Sequence, residues 1–306
     1  MDSALKQDAI VTEVTQGTTP ATPAFKVLRT INMTGDPVRA STRSPERRAD
    51  RRAANMVTGL NRYEKAAVMP FVRDAGADIL WQSLLNGSFS TNVLKDGSTA
   101  SFFTLEEKYS APTVPYRRTT GVQVASLALS WRLGDVGQMS WAFMGLGETN
   151  STSAISGATY AAASPGYDPV STVDIAVSSL FGLTTPKVTG LTMNINNNMQ
   201  PLYKFGSADP WALSLGAFDV SGQIECYLTA AADYTAFVTR ATGQTFDLVF
   251  GSQSGSKDQI TMGAVDVYNP QISDPGPSGQ HMVTLPYMAK YYSGDTSAFK
   301  LTRNVA

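Results

Sequence analysis

The chain has 306 residues, with 24 Lys and Arg against 25 Asp and Glu, and its formal net charge of -1 gives no overall pull toward nucleic acid or an anionic membrane. A single cysteine and a single histidine exclude an intramolecular disulfide, thiolate metal clusters and multi-histidine metal centres. No window approaches the roughly 20 apolar residues of a membrane-spanning helix, and the first ten residues lack the basic and apolar segments of a secretory leader.

Residues 1–24 are polar and rich in Thr, Ala and Pro, which predicts an extended arm that cannot bury itself without a partner. Residues 25–33 follow with apolar positions spaced by two or four, a strand pattern that Thr34-Gly-Asp-Pro37 ends. Residues 39–52 then pack six arginines against only Glu46 and Asp50. Ser44 as N-cap, Pro45 at the first helical position and Glu46 in the first turn predict a short helix ending at Gly59. Arg47, Arg48, Arg51 and Arg52 are candidates for gripping phosphates or acidic side chains of a neighbouring subunit; the alternative is a solvated loop.

Residues 56–69 read as a strand ending near Pro70. A helix is expected over residues 74–86, stopped by Gly87, because Ile79, Leu80, Leu84 and Leu85 share one face. Residues 101–109 are aromatic and β-prone. In residues 120–132 the alternation runs through Val122 and Val124 and then shifts to Leu127, Leu129 and Trp131, which predicts a bulge midway. Leu133-Gly-Asp-Val-Gly137 turns the chain into a second strand, residues 138–146, with Met139, Trp141 and Phe143 on one face.

Residues 147–172 are poor in bulky hydrophobes and read as a linker or surface excursion between two units, residues 25–146 and 173–306. The second unit repeats the plan: strands over residues 188–196 and 216–228, a short helix over residues 230–240 stopped by Gly243, and strands over residues 245–250 and 259–268. A closing segment spans residues 281–303. The expected fold is mainly β with one short helix per unit, the unit being duplicated. Cys226 reads as a small buried hydrophobe in an alternating strand.

Nothing in this pattern satisfies the geometry of catalysis, so no catalytic, cofactor or metal residues are assigned. His281 precedes a strand-like run and reads as a loop residue. Gly-Leu-Gly at residues 145–147 lacks the helix of a phosphate-binding loop. Glu106 and Glu107 are adjacent and on a strand point to opposite faces, so they cannot act as an acid/base pair. The run Asn194-Ile-Asn-Asn-Asn198 reads as a polar strand face becoming a turn at Asn197-Asn198, with an ion or sugar site as the alternative.

The order of Ser44-Pro-Glu-Arg-Arg-Ala-Asp-Arg51, Phe103-Thr-Leu-Glu-Glu107, residues 118–129, residues 189–199 and residues 216–228 resembles the tail tube (major tail) proteins of long, flexible-tailed bacteriophages. The resemblance covers nearly the whole chain. It implies β-sandwich or half-barrel units that close into a ring-shaped barrel on oligomerisation, with rings stacking into a hollow virion tube through which DNA is ejected. Two units per chain imply a trimer of pseudo-sixfold symmetry, with a hexamer as the alternative. Implied partners are the chain itself, the tape measure, tail tip and tail terminator proteins, and double-stranded DNA that passes without specific binding. Synthesis in the host cytoplasm, no membrane contact and no cofactor are implied as well.

A lumen of this kind favours polar or acidic faces and disfavours arginine, because duplex DNA carries one negative charge per about 1.7 Å of axis. Gln123, Asn194, Asn196 and Glu225 are therefore the expected lumen-facing residues, and the Arg39–Arg52 segment is placed at a subunit or ring-to-ring contact. A carbohydrate- or receptor-binding β-sandwich module is the alternative function, and Trp211 is the residue it would use.

Overall fold

The computed structural model describes residues 5–46, 55–110, 115–163, 169–181, 187–227, 242–251, 255–273 and 279–305. In chain order the first strands are β1 (Gln7–Glu13), β2 (Ala24–Val27), β3 (Asn32–Thr34), β4 (Val38–Arg43) and β5 (Met56–Pro70), followed by the helix α1 (Ala75–Leu85). Next come β6 (Val93–Lys95), β7 (Phe102–Lys108), β8 (Tyr116–Arg132), β9 (Gln138–Gly145), β10 (Gly147–Ser151) and β11 (Thr159–Ala161). The second half holds β12 (Ile175–Leu180), β13 (Lys187–Asn196), β14 (Gln200–Leu202), β15 (Ala212–Ser214) and β16 (Asp219–Tyr227). It ends with β17 (Gln244–Phe250), β18 (Lys257–Val267), β19 (Gln271–Ser273), β20 (Met282–Ala289) and β21 (Lys300–Val305). The protein is mainly β, and α1 is the one α-helix among the described residues; the helix expected over residues 230–240 lies outside them.

Helix α1 forms where its apolar spacing predicts. Asp74 caps it, its carboxylate accepting from the Ala77 amide at 2.7 Å, and Asn86 ends it in the left-handed conformation at φ 49°. The turn residue is thus Asn86 rather than Gly87. Leu80, Trp81, Leu84 and Leu85 are buried, and Trp81 meets Trp141 edge-on at a centroid distance of 5.5 Å while stacking on Phe299 at 6.0 Å. These rings fasten the helix to β9 and to the segment leading into the C-terminal strand.

Strand β8 ties the architecture together. Its first part pairs with β7 and β10, and its second part pairs with β9 and β13. The changeover begins at Gly121 (φ +62°), where a Cβ would meet the Leu146 side chain at 2.8 Å, so any other residue would be strained and crowded. The ladder to β9 slips between Val124 and Ser126, which is the bulge predicted from the shift in alternation.

Two layers result. One is a long sheet in the order β3-β5-β9-β8-β13-β16-β20, with β18 and β19 following along the far edge of β20. Against it lie β2-β1-β7-β8-β10 from the first half and β12-β17-β18-β21-β6 toward the second. One hydrophobic cluster runs through both halves, from Ile10, Trp81 and Phe103 to Phe246, Ile260 and Tyr287. The ladder between β8 and β13 makes the long sheet continuous across them.

Three expectations are corrected. The N-terminal segment does not wait for a partner: β1 pairs with β7 along seven residues, and Ala9, Ile10 and Val11 are buried. The apolar triplet, masked in the sequence by polar neighbours, supplies the driving force. No helix reaches Gly59, which lies in β5 with its backbone close over Ala40. The excursion after residue 146 returns to the first half's sheets, with β10 beside β8 and β11 parallel to β2, where Thr, Asn and Ser supply ladder groups to open edges.

Candidate assembly surfaces

The long sheet buries one face and presents the other. Leu127, Leu129, Trp131, Met139, Trp141, Met193, Ile195, Ile224 and Leu285 are buried, so their strand neighbours point the opposite way. The registers place these neighbours in rows. One row runs Val68, Ser140, Ala128, Asn194, Ser221 and Met288; the next runs Pro70, Gln138, Ser130, Thr192, Gln223 and Pro286. No ionisable side chain stands in either row from β5 to β20; past Met288 the first row meets Asp266 of β18. Charges appear in flanking rows, at Asp219 beside Asn196 and at Arg132 and Glu225 on either side of Gly190.

Of the expected lumen residues, the structure brings Asn194, Asn196 and Glu225 to this one face, with both asparagines exposed. Gln123 does not fit that role: it is 1% exposed, lying before the β8 bulge where the strand enters the interior. The asparagine run behaves as a strand that becomes a turn. Asn197 is buried and donates to the carbonyls of Leu84 and Val124, while Asn198, at φ 46°, donates to the Ala217 carbonyl and to Asp219. Its amides hold α1 and β8 in place, which is a structural task. Cys226 is buried in β16 and His281 is an exposed residue outside the strands.

A second surface is the ribbon of β4 and the first part of β5. Every β4 residue is exposed, and beyond Tyr63 the strand β5 has lost its β9 neighbour. The ribbon is anchored at its base. The Tyr63 hydroxyl and the Asn61 amide each donate to Asp209 at 2.6 Å, the Asn61 backbone donates to the Ala208 carbonyl, and the Tyr203 hydroxyl donates to the Asn61 carbonyl. These donors hold the Asp209 carboxyl below its ordinary range, while burial and the same carboxylate push the Tyr63 hydroxyl up to about 12.

Above this base, Val38, Met56, Val57 and Leu60 are exposed, and on the adjoining loop so are Phe205 and Trp211. Clustered exposed apolar side chains mark an interaction surface. Arg47, Arg48, Arg51 and Arg52 lie outside the described residues, between the paired ends Arg43 and Met56.

A third feature, invisible in the sequence, locks the base of the ribbon to the first sheets. Lys65 lies 2.6 Å from Glu107 and 2.9 Å from Glu148; Arg117 lies 2.7 Å from Glu148 and 2.7 Å from Asp36; Lys6 lies 2.9 Å from Glu107. Burial disfavours the charge on Glu107, but Lys65 and Lys6 outweigh it and hold the carboxyl below its ordinary range. Glu106 turns the other way, to Arg118 at 2.6 Å and the Tyr160 hydroxyl. The two glutamates therefore do serve opposite faces. Long sequence separations between the partners explain why no pattern announces them.

The fold and these surfaces define a mainly β protein with an extended polar sheet face and an exposed, partly apolar ribbon. Among the described residues no group of His, Cys, Asp and Glu is arranged to hold a metal ion, and no helix is long and apolar enough to cross a membrane. A family model described as phage tail tube protein matches residues 6–289, and the chain belongs to that family. The family is structural, not enzymatic, and its members are components of the virion. No curated protein matches the chain.

Proposed function

We propose that this chain polymerises into stacked rings that form the hollow tail tube, the conduit through which double-stranded DNA is ejected into the host. The observation that carries the reading is the order of strand pairing in the two halves. In the first half the succession is β1-β7-β8-β9-β5-β3; in the second it is β12-β17-β18-β20-β16-β13. Two copies of one unit per chain support a ring of three chains with pseudo-sixfold symmetry over one of six.

The uncharged rows of the long sheet suit the lumen. Small side chains such as Ala128, Ser130, Ser140 and Ser221 make a smooth wetted wall at its centre, with no fixed cations in these rows to hold phosphates. The ribbon, its arginine-rich connection and Trp211 then belong to contacts between subunits or rings, away from the DNA. Assembly follows synthesis in the host cytoplasm and involves the tape measure, tail tip and tail terminator proteins.

Negative-stain electron microscopy of concentrated protein tests the reading. Hollow rings or tubes with three- or sixfold averages are the expected result. Discrete particles that stay small with purified initiator present would instead favour a carbohydrate- or receptor-binding module using the exposed Trp211.

A further inference from the structure

The two ends of the long sheet each carry strand backbone with a partner on one side only among the described residues. At one end β5 is the only strand that β3 pairs with, although the Met33 carbonyl also accepts from the Lys6 ammonium at 3.3 Å, and the adjacent Ile31 is 63% exposed. At the other end β20 is flanked by β16 on one edge, while its second edge carries the last residues of β18 and then β19, laid end to end. Strand β17 reaches no further along β18 than Val265, and β21 no further than Thr261. All three β19 residues are exposed, and Ile272 is 41% exposed. Open backbone flanked by exposed isoleucines is a template for another strand, which natural proteins cover or blunt unless it is used.

The chain itself displays what such an edge accepts. Past its bulge, β8 borders β9 in the way that β18 and β19 border β20. The free edge of β8 there is filled by β13, antiparallel, in a ladder from Gly190 opposite Arg132 to Asn196 opposite Ser126. Strand β13 in turn borders β16 in the way that β3 borders β5. The junction between the halves is therefore a pair of edges, and β18-β19 and β3 are the same two edges with their counterparts missing.

We infer that the β18-β19 edge of one chain pairs antiparallel with β3 of a second copy, reproducing between chains the β8-β13 junction within one. This rests on the ring reading and deepens it by naming the edges that meet. The contact is head to tail, so it propagates in one sense and closes when the rotation per step divides the circle. It also aligns Asp266 and Tyr268 with the wall rows, since Asp266 pairs with Met288 in register and the Tyr268 amide donates to the Pro286 carbonyl.

Cysteine pairing tests the assignment in assembled tubes. In a Cys226→Ala background, Asp266→Cys is combined with Asn32→Cys, the pair that reproduces Ala128 opposite Asn194, and Tyr268→Cys with Asn32→Cys covers a slip of one pair of residues. Directly opposed residues bring Cβ atoms to about 4.5 to 5.5 Å, close to disulfide reach. At least one pair is expected to give, on oxidation, a reducible ladder of covalent oligomers, whereas Asp266→Cys with Val14→Cys gives none.

The unmodified chain supplies an independent readout: amide exchange over residues 266–268 and 30–32 should slow at least 100-fold on assembly. Tubes that form without any ladder and without protection at these edges overturn the edge assignment and leave the ring reading standing. A wild-type chain that forms no rings or tubes overturns both.

Discussion

Lys65 and Glu107 form an ion pair of 2.6 Å in which the two side chains are 1% and 2% exposed. Such a pair is not by itself a source of stability, because both ions have left water, but removing one partner strands the other. Lys65→Met and Glu107→Gln are each expected to destabilise the monomer by about 3 to 5 kcal/mol, and the double variant by less than their sum. Urea unfolding of the four proteins checks this; additive losses would mean that the pair does not act as a unit.

The same carboxylate sets an acid limb. The folded-state pKa of Glu107 lies below the ordinary value of 4.5, so its contribution is present above that pH and is lost as pH falls through the folded-state value. Asp8, Asp78 and Asp258 are pushed up by burial, so protonating them on acidification favours the folded state and opposes the loss. The urea midpoint should therefore fall less steeply below about pH 4.5 in Glu107→Gln than in the wild type. Parallel curves would place the acid sensitivity elsewhere.

The N-terminal segment makes a prediction opposite in sense to that for a free arm. Ile10 is fully buried between β7 and the core, so Ile10→Ala should cost about 2 to 5 kcal/mol, and deleting residues 1–24 should remove the cooperative thermal transition of the first sheets. A deletion variant that melts as the full chain does would show β1 to be dispensable.

What the sequence disclosed and withheld follows from the range of the interactions. The helix at Ala75–Leu85 and the bulge near Ala125 are periodic signals within a dozen residues, and both were legible. The polar face around Asn194 and Asn196 was legible for the same reason, since one strand alternates cleanly there. Gln123 departs from its expected place because an outward parity within β8 does not reveal that other elements cover that stretch. The Lys65, Glu107, Glu148 and Arg117 cluster draws on four strands far apart in the chain, and nothing local marks a lysine that will lie 1% exposed. Strand β1 gives little local signal because its apolar run is only three residues long.

The ribbon should matter for assembly and little for folding. Val57→Ser with Trp211→Ala is expected to move the melting temperature by no more than about 2 °C, since exposed substitutions cost little; Arg47, Arg48, Arg51 and Arg52 all changed to Glu are tested beside it for assembly. Both should raise the protein concentration at which tubes appear, the charge reversal more so at high dilution. Sedimentation velocity across a concentration series reads this directly, and unchanged assembly of the charge-reversed chain would return the arginine segment to a solvated loop.

The wall rows carry the last prediction. Ala128, Asn194 and Ser140 are cross-strand neighbours in one uncharged row, so Asn194→Lys with Ser140→Lys sets two cations two strands apart on the exposed face without touching the core beneath. Folding and tube formation should persist, because the substituted side chains reach into solvent. DNA passage should not be spared: each lysine that meets a phosphate adds an attraction whose logarithmic salt slope is about -0.9 per contact. Ejection from particles carrying the variant tube is expected to slow at low salt and to recover toward the wild-type rate as salt is raised. Asn194→Asp with Ser140→Asp serves as the paired control and should leave ejection fast at every salt concentration. If both pairs assemble and eject alike, this sheet face does not line the DNA path, and the wall must be sought on the opposite layer formed by β1, β7, β12 and β17.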